Sequence, residues 1–182
     1  MKTGADPARP WQDCSMDDQG RIDPPQTGDE RATLAGFLQY HRDTLAMKCA
    51  GLTTEQLKQQ AVPPSNLTLL GLIRHMAEVE RSWFRIRFNG EPLPGRWIKG
   101  SGDDTDFEVD TADPDEAFAA WHEECARSRA IVDAADSLDA TMRHRDSDFS
   151  LRWILTHMIE EYARHNGHAD FLRERIDGAT GE

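Results

Sequence analysis

Seven residues near the C-terminus constrain this chain more than any others. Ile154, Met158, Glu161, His165, His168, Leu172 and Ile176 follow one another at steps of four, three, four, three, four and four. That spacing draws one stripe along one face of a helix. Both ends of the stripe are apolar, so its middle is expected to face the core as well, yet the middle is a carboxylate and two imidazoles. Burying a carboxylate is costly unless it is paired or bound to a metal. A helical interior that gives these groups partners is therefore required.

The rest of the chain supplies more helices of the same kind. Thr27 and Glu30 have capping-box spacing, and a helical pattern follows to about Ala50, with Leu34, Phe37, Leu38, His41, Leu45 and Met47 mainly on one side. A short helical turn at TTEQLKQQ ends at Pro63-Pro64. A second long helix is expected from about Thr68 to Phe88. Its Leu69, Leu72, Ile73, Met76, Val79, Trp83 and Ile86 recur at three- and four-residue spacing, and Asn89-Gly90 stops it. The connection over 90–112 is too long for a tight turn and carries Trp97, Phe107 and several aspartates; loops of that length are usually functional or crossovers. A third helix opens with Asp113 as N-cap, Pro114 as its first residue and Asp115 and Glu116 at the positive end of the dipole, and it runs to about Ala135. The last helix is expected over Phe149–Ile176, ending before Gly178. No alternating strand pattern runs longer than a few residues. The fold class predicted is all-α: a four-helix bundle with a long crossover between helices 2 and 3. Residues 1–26, rich in Pro, Asp, Gly and Gln, read as an extended arm with Trp11 as its anchor, and 27–182 as the bundle.

Where the polar stripe meets the second helix, chemistry is expected. Glu161 and His165 are four apart and project together. His75 lies between Leu72 and Val79 on an apolar face, and facing helices of a bundle commonly donate ligands to one central ion. His75, Glu161 and His165 form a two-histidine, one-carboxylate set. Such a set leaves open coordination positions, as in catalytic Zn²⁺ sites and the Fe²⁺ facial triad. Because histidine coordinates only when neutral, metal held this way is expected to leave as pH falls below about 6. The remaining polar residues read more plainly. His41, His122, His144 and His157 take surface or packing roles. Trp83, Trp121 and Trp153 belong to the core, and Glu78, Glu80 and Glu160 to solvated faces or salt links; Arg81, Arg85 and Arg164 read as solvated charge, with a hold on a substrate carboxylate as the alternative for one of them.

Composition excludes several classes. A net charge of −12 weighs against nucleic acid, which needs a basic stripe. No apolar run approaches the roughly 18–20 residues of a membrane span, and the N-terminus has no signal-peptide core. Cys14, Cys49 and Cys125 are odd in number and widely spaced, which points to a reducing, cytoplasmic setting, with Cys49 and Cys125 as core or boundary residues.

The run SLRWILTHMIEEYARHNGHADFLRERIDG resembles the last helix of the DinB superfamily, especially its actinobacterial-type branch, and LTLLGLIRHMAEVERSWF is similar to its second helix. The resemblance covers roughly residues 28–178. It puts the family's first metal ligand on His75 and its final pair on Glu161 and His165. Gly167 stands two residues past the last ligand, and Leu172 and Arg173 keep the family's distance. An alternative register makes His165 and His168 the pair, with Glu161 beside them; His168 otherwise contacts substrate or supports a ligand. The glutamate variant is the one in mycothiol-dependent maleylpyruvate isomerase, and DinB-like bundles include thiol transferases that use bacillithiol or mycothiol.

The activity so implied joins a divalent metal (Zn²⁺ first, with Ni²⁺, Mn²⁺ or Fe²⁺ as alternatives) to a low-molecular-weight thiol. The products are S-transfer to, or isomerisation of, a small electrophile. No side chain is singled out as a general acid or base. A metal-binding, stress-associated module without turnover and a metal-dependent hydrolase are the other readings. The partner expected is a small molecule rather than nucleic acid or membrane, and a bundle with a free face is compatible with a homodimer.

Overall fold

The computed structural model describes residues 20–97 and 105–180. Most of the predicted arm, with Trp11 and Cys14, lies outside them. The described end of that stretch is docked. Arg21 donates from Nη1 to Oγ1 of Thr44 at 2.8 Å, and its guanidinium sits 4.4 Å over the Tyr40 ring. Gly36 lets Pro25 approach: a Cβ at Gly36 would stand 2.6 Å from Cδ of Pro25.

Helix α1 spans Glu30–Cys49. Its N-cap is Asp29, whose Oδ1 accepts from the Ala32 amide at 2.7 Å, so the capping box expected from Thr27 does not form. A carboxylate at the cap satisfies a free amide and also interacts with the helix dipole. The capping box appears instead at Thr53 and Gln56, opening the short helix α2, Thr54–Leu57. Helix α3 covers Leu69–Glu80 and continues without a break as a π-helical stretch over Arg81–Phe88. There the amide of Asn89 reaches back five residues to the Phe84 carbonyl at 2.9 Å. The change of helical period moves the buried face. Phe84 is fully buried while Trp83 and Ile86, in phase with an unbroken α-helix, are only half-buried.

After a one-turn 3-10 helix at Thr105–Phe107, helix α4 runs over Pro114–Ala134, capped by Asp113 as its sequence requires. A hairpin then intervenes where no strand was expected. Strands β1 (Thr141–His144) and β2 (Ser147–Ser150) pair antiparallel, with Thr141 opposite Ser150 and His144 opposite Ser147. The two-residue turn is Arg145-Asp146, not the Asn-Gly or Asp-Gly that announces such turns, and Arg145 adopts a left-handed φ of 54°. With only Met142 buried along the two strands, no alternation marks them. The hairpin takes Phe149, so the last helix, α5, starts at Leu151 behind a Ser150 cap. It ends on Gly178 in the left-handed conformation.

The described chain is mostly helical. Helix α1 packs mainly on α5 and α3 mainly on α4, with contacts between α3 and α5 joining the pairs. Helix α3 is buried nearly all round, as an apolar central helix must be. One charged network crosses this interior. Arg42 clamps Glu80 with two hydrogen bonds of 2.8 and 2.9 Å, Tyr162 donates to Glu80 at 2.8 Å, and Trp121 donates to the Tyr162 oxygen at 2.9 Å. All four side chains are buried. Cys125 lies beside them and Cys49 elsewhere in the core, and burial pushes both thiols up to about 12. Among the described residues no helix is long and apolar enough to cross a membrane.

Candidate metal centre

The buried face of α5 is rotated slightly from the predicted stripe. Leu151, Ile154, Leu155, Met158, Tyr162, His165, Ala169 and Leu172 fill it, while Glu161 and His168 sit half-buried on its border. The interior place expected for Glu161 belongs to Tyr162, which carries its own hydroxyl into the Arg42–Glu80 network. This border position gives the polar groups both a packed side and a side open to solvent.

There α3 and α5 bring His75, Glu161 and His165 together. One ligand atom from each lies within 4.8 Å of the other two, and the two imidazole centroids are 4.8 Å apart. Nδ1 of each ring has a neighbour. Nδ1 of His75 is 2.8 Å from Oδ2 of Asp106, and Nδ1 of His165 is 3.3 Å from Nδ1 of His168. Nε2 of each ring is thereby left for an ion, and Nε2 of His165 lies 3.7 Å from Oε2 of Glu161. Imidazole ligands generally donate their second nitrogen to a carboxylate or other acceptor, which fixes the tautomer. The donor set therefore fits a divalent cation of the Zn²⁺ type, which takes nitrogen and carboxylate oxygen. His168 stands behind His165 rather than in the three-residue group.

Burial, and then the neighbouring His75 and His168, lower the pKa of His165 to about 4. His165 is thus a neutral donor well below the pH at which an ordinary imidazole protonates.

Asp106 is the residue that the sequence did not reveal. It is 1% exposed, its second oxygen Oδ1 has no hydrogen-bond partner, and it stands 31 residues from His75 in the long connection. The connection is pinned to α3 by the neighbour of His75. Arg74 donates to the carbonyls of Glu108 at 2.5 Å and Thr105 at 3.1 Å and lies 4.8 Å from the Trp97 ring. Phe107 stacks on His75 with centroids 4.9 Å apart, over Gly71, where a Cβ would stand 3.1 Å from the Phe107 ring. The several aspartates of the connection were the available signal, but a loop has no period to say which one turns inward.

The arginines read as solvated have other duties. Arg81 and Arg85 bind the fully buried Glu124 at 2.7 and 3.1 Å. Glu78 is buried and accepts from the Trp97 amide, so it is not on a solvated face, while Glu80, also buried, forms the salt link expected of it, with Arg42. Arg164 pairs with Glu160 on the surface, as expected. Trp121 is core, but Trp153 is 43% exposed at the rim.

A family model described as mycothiol-S-transferase matches residues 33–178. The chain belongs to the mycothiol-S-transferase family. This is a DinB-like family, in agreement with the resemblance carried by the second and last long helices. The match runs from the first turn of α1 to the cap of α5 and includes His75, Asp106, Glu161, His165 and His168. No curated protein and no solved structure matches the chain.

Proposed function

We propose that this mycothiol-S-transferase family member is a DinB-type four-helix bundle whose His75, Glu161 and His165 hold one divalent cation, Zn²⁺ first, for thiol S-transfer to a small electrophile. The observation that carries the reading is the pairing of each imidazole's Nδ1 with a partner while one donor atom from each of the three residues lies within 4.8 Å of the others. A cation bound there supplies Lewis acidity, which deprotonates a coordinating thiol at neutral pH.

The chain's own residues do the rest. Asp106, 2.8 Å from Nδ1 of His75, keeps that ring's proton there, and with the proton of His165 on the Nδ1 that lies 3.3 Å from Nδ1 of His168, both rings would present Nε2. Glu161 contributes negative charge from the helix border. Three protein donors leave positions for a small molecule, and side-chain exposures of 24%, 18% and 11% for His75, Glu161 and His165 give it a route from solvent. The two buried thiols, held protonated, cannot compete with an external thiol as nucleophile. The thiol class is mycothiol, and the setting a reducing cytoplasm, consistent with free Cys49 and Cys125. The arm over 1–26 and the bundle over 27–182 remain the proposed division.

The test is elemental analysis of the full chain beside His75→Ala and His165→Ala, followed by assay of a small electrophile with and without mycothiol. About one equivalent of metal in the parent, its loss in both variants and strict thiol dependence are expected. Absence of metal after reconstitution would overturn the centre, and activity without thiol would favour a hydrolase.

A further inference from the structure

The carboxylate of Glu161 faces two imidazoles. Its Oε2 lies 3.7 Å from Nε2 of His165, and its Oε1 lies 3.5 Å from Nε2 of His157, one turn earlier on α5. His157 also has Nδ1 3.6 Å from Oε2 of Glu160. One ligand atom each from His157, Glu160 and Glu161 lie within 4.8 Å of one another, the same closeness as in the first trio. The His157 ring is held in place. It stacks on Trp153 with centroids 4.9 Å apart and planes 17° from parallel, and Trp83 meets it edge-on at 4.8 Å.

We propose that Glu161 is a bridging carboxylate and that His157 and Glu160 complete a second, weaker position for a divalent transition-metal cation beside the first. The proposal rests on the reading of His75, Glu161 and His165 as a metal centre and extends it. Two donors of one tetrahedral ion, each bonded at about 2.0–2.1 Å, stand about 3.3 Å apart. The 3.5 and 3.7 Å separations on the two sides of Glu161 need only a few tenths of an ångström of closure. A carboxylate used from both oxygens fits ions about 3.5–4 Å apart, the separation of two-metal sites.

The spacing His157, Glu160, Glu161, His165 sets all four side chains on neighbouring positions of one helix surface. Imidazole with carboxylate selects Zn²⁺- or Mn²⁺-like cations over Ca²⁺ or Mg²⁺. The competitor within the protein is Arg164, which pairs with Glu160, but both of those side chains are about half exposed. An exposed pair of that kind contributes little, and a dication can displace it. Because Glu160 must first leave Arg164 and turn from the Nδ1 edge of His157 to the Nε2 edge that faces Glu161, the second position fills after the first.

The experiment titrates the metal-free full chain with Zn²⁺ in a calorimeter. Two classes of about one equivalent each are expected in the parent. His157→Gln should lose the weaker class and keep the tighter one, Glu160→Gln, on the exposed side, should weaken the second class at least tenfold, and circular dichroism checks the fold of both. With Mn²⁺ at two equivalents, a bridged pair should lose its six-line paramagnetic resonance signal by coupling, and His157→Gln at one equivalent should recover it. A parent that binds a single equivalent, lost in His75→Ala but untouched in His157→Gln, would overturn the second position alone and leave His157 as a salt-linked partner of the two glutamates. A parent that binds none would overturn both positions.

Discussion

Replacing Asp106 by alanine tests whether the long connection serves the metal centre or only the fold. The hydrogen bond at stake spans 2.8 Å, from Nδ1 of His75 to a carboxylate 2% exposed. Loss of such an outer partner typically weakens metal binding 10- to 100-fold, or about 1.4–2.7 kcal/mol. His75 keeps its stack on Phe107, at 4.9 Å and 24° between planes. The stack restrains the ring plane but not the tautomer, so a loss nearer tenfold is expected. Metal-free stability should change in the other direction or hardly at all. Oδ1 of Asp106 is buried with no partner, and a carboxylate desolvated in that way is a burden on the empty protein. The assay is competition for Zn²⁺ against a chromogenic chelator at pH 7, with urea unfolding of the metal-free proteins alongside. Asp106→Asn, which retains an acceptor oxygen, should fall between parent and alanine. A metal affinity within twofold of the parent, joined to a clear drop in metal-free stability, would refute the reasoning and make Asp106 a structural residue.

Three further outcomes are expected. Glu80→Ala strands the buried Arg42 and leaves the Tyr162 hydroxyl without its acceptor, which should cost about 3–5 kcal/mol in urea unfolding; a cost below about 1 kcal/mol would contradict the buried pair. His165, with its pKa lowered from 6.5 to about 4, stays neutral in the folded metal-free protein while the unfolded chain takes up a proton. Stability should therefore fall as pH drops from about 6.5 to about 4, by about 3 kcal/mol at about 1.36 kcal/mol per pH unit; His165→Asn should flatten that slope, and an unchanged slope would remove His165 as its source. Arg173 donates to the carbonyls of Lys48 at 3.1 Å and Ala50 at 2.8 Å, closing the end of α1 from α5. Arg173→Met should cost about 1.5–3 kcal/mol, read by thermal or urea unfolding, and no loss would mean that water caps α1 equally well.

What sequence alone determined here is whatever depends on neighbours along the chain. Asp113-Pro114 opens α4 and Gly178 closes α5 because caps act within one turn. Helices α3 and α5 carry apolar residues at helical spacing, and the interruption of one such face by Glu161 and His165 marked the site, with His75 on the facing helix. The resemblance to the DinB superfamily rested on those same two helices. Tertiary structure decided what depends on residues far apart. Which aspartate of the connection would turn inward was settled by Arg74 and Phe107 drawing Thr105–Glu108 onto α3, an arrangement that leaves no periodic trace. Whether Glu78, Glu80 and Glu124 faced water was settled by Trp97, Arg42, Arg81 and Arg85 meeting them from other segments, since a charged residue is buried only where a partner arrives. The π-helical stretch shifted Trp83 off the core and Phe84 into it, and the hairpin hid behind an Arg145-Asp146 turn that lacks the glycine such turns usually carry. Short-range physics wrote the helices into the sequence; long-range packing chose which polar groups the interior would accept.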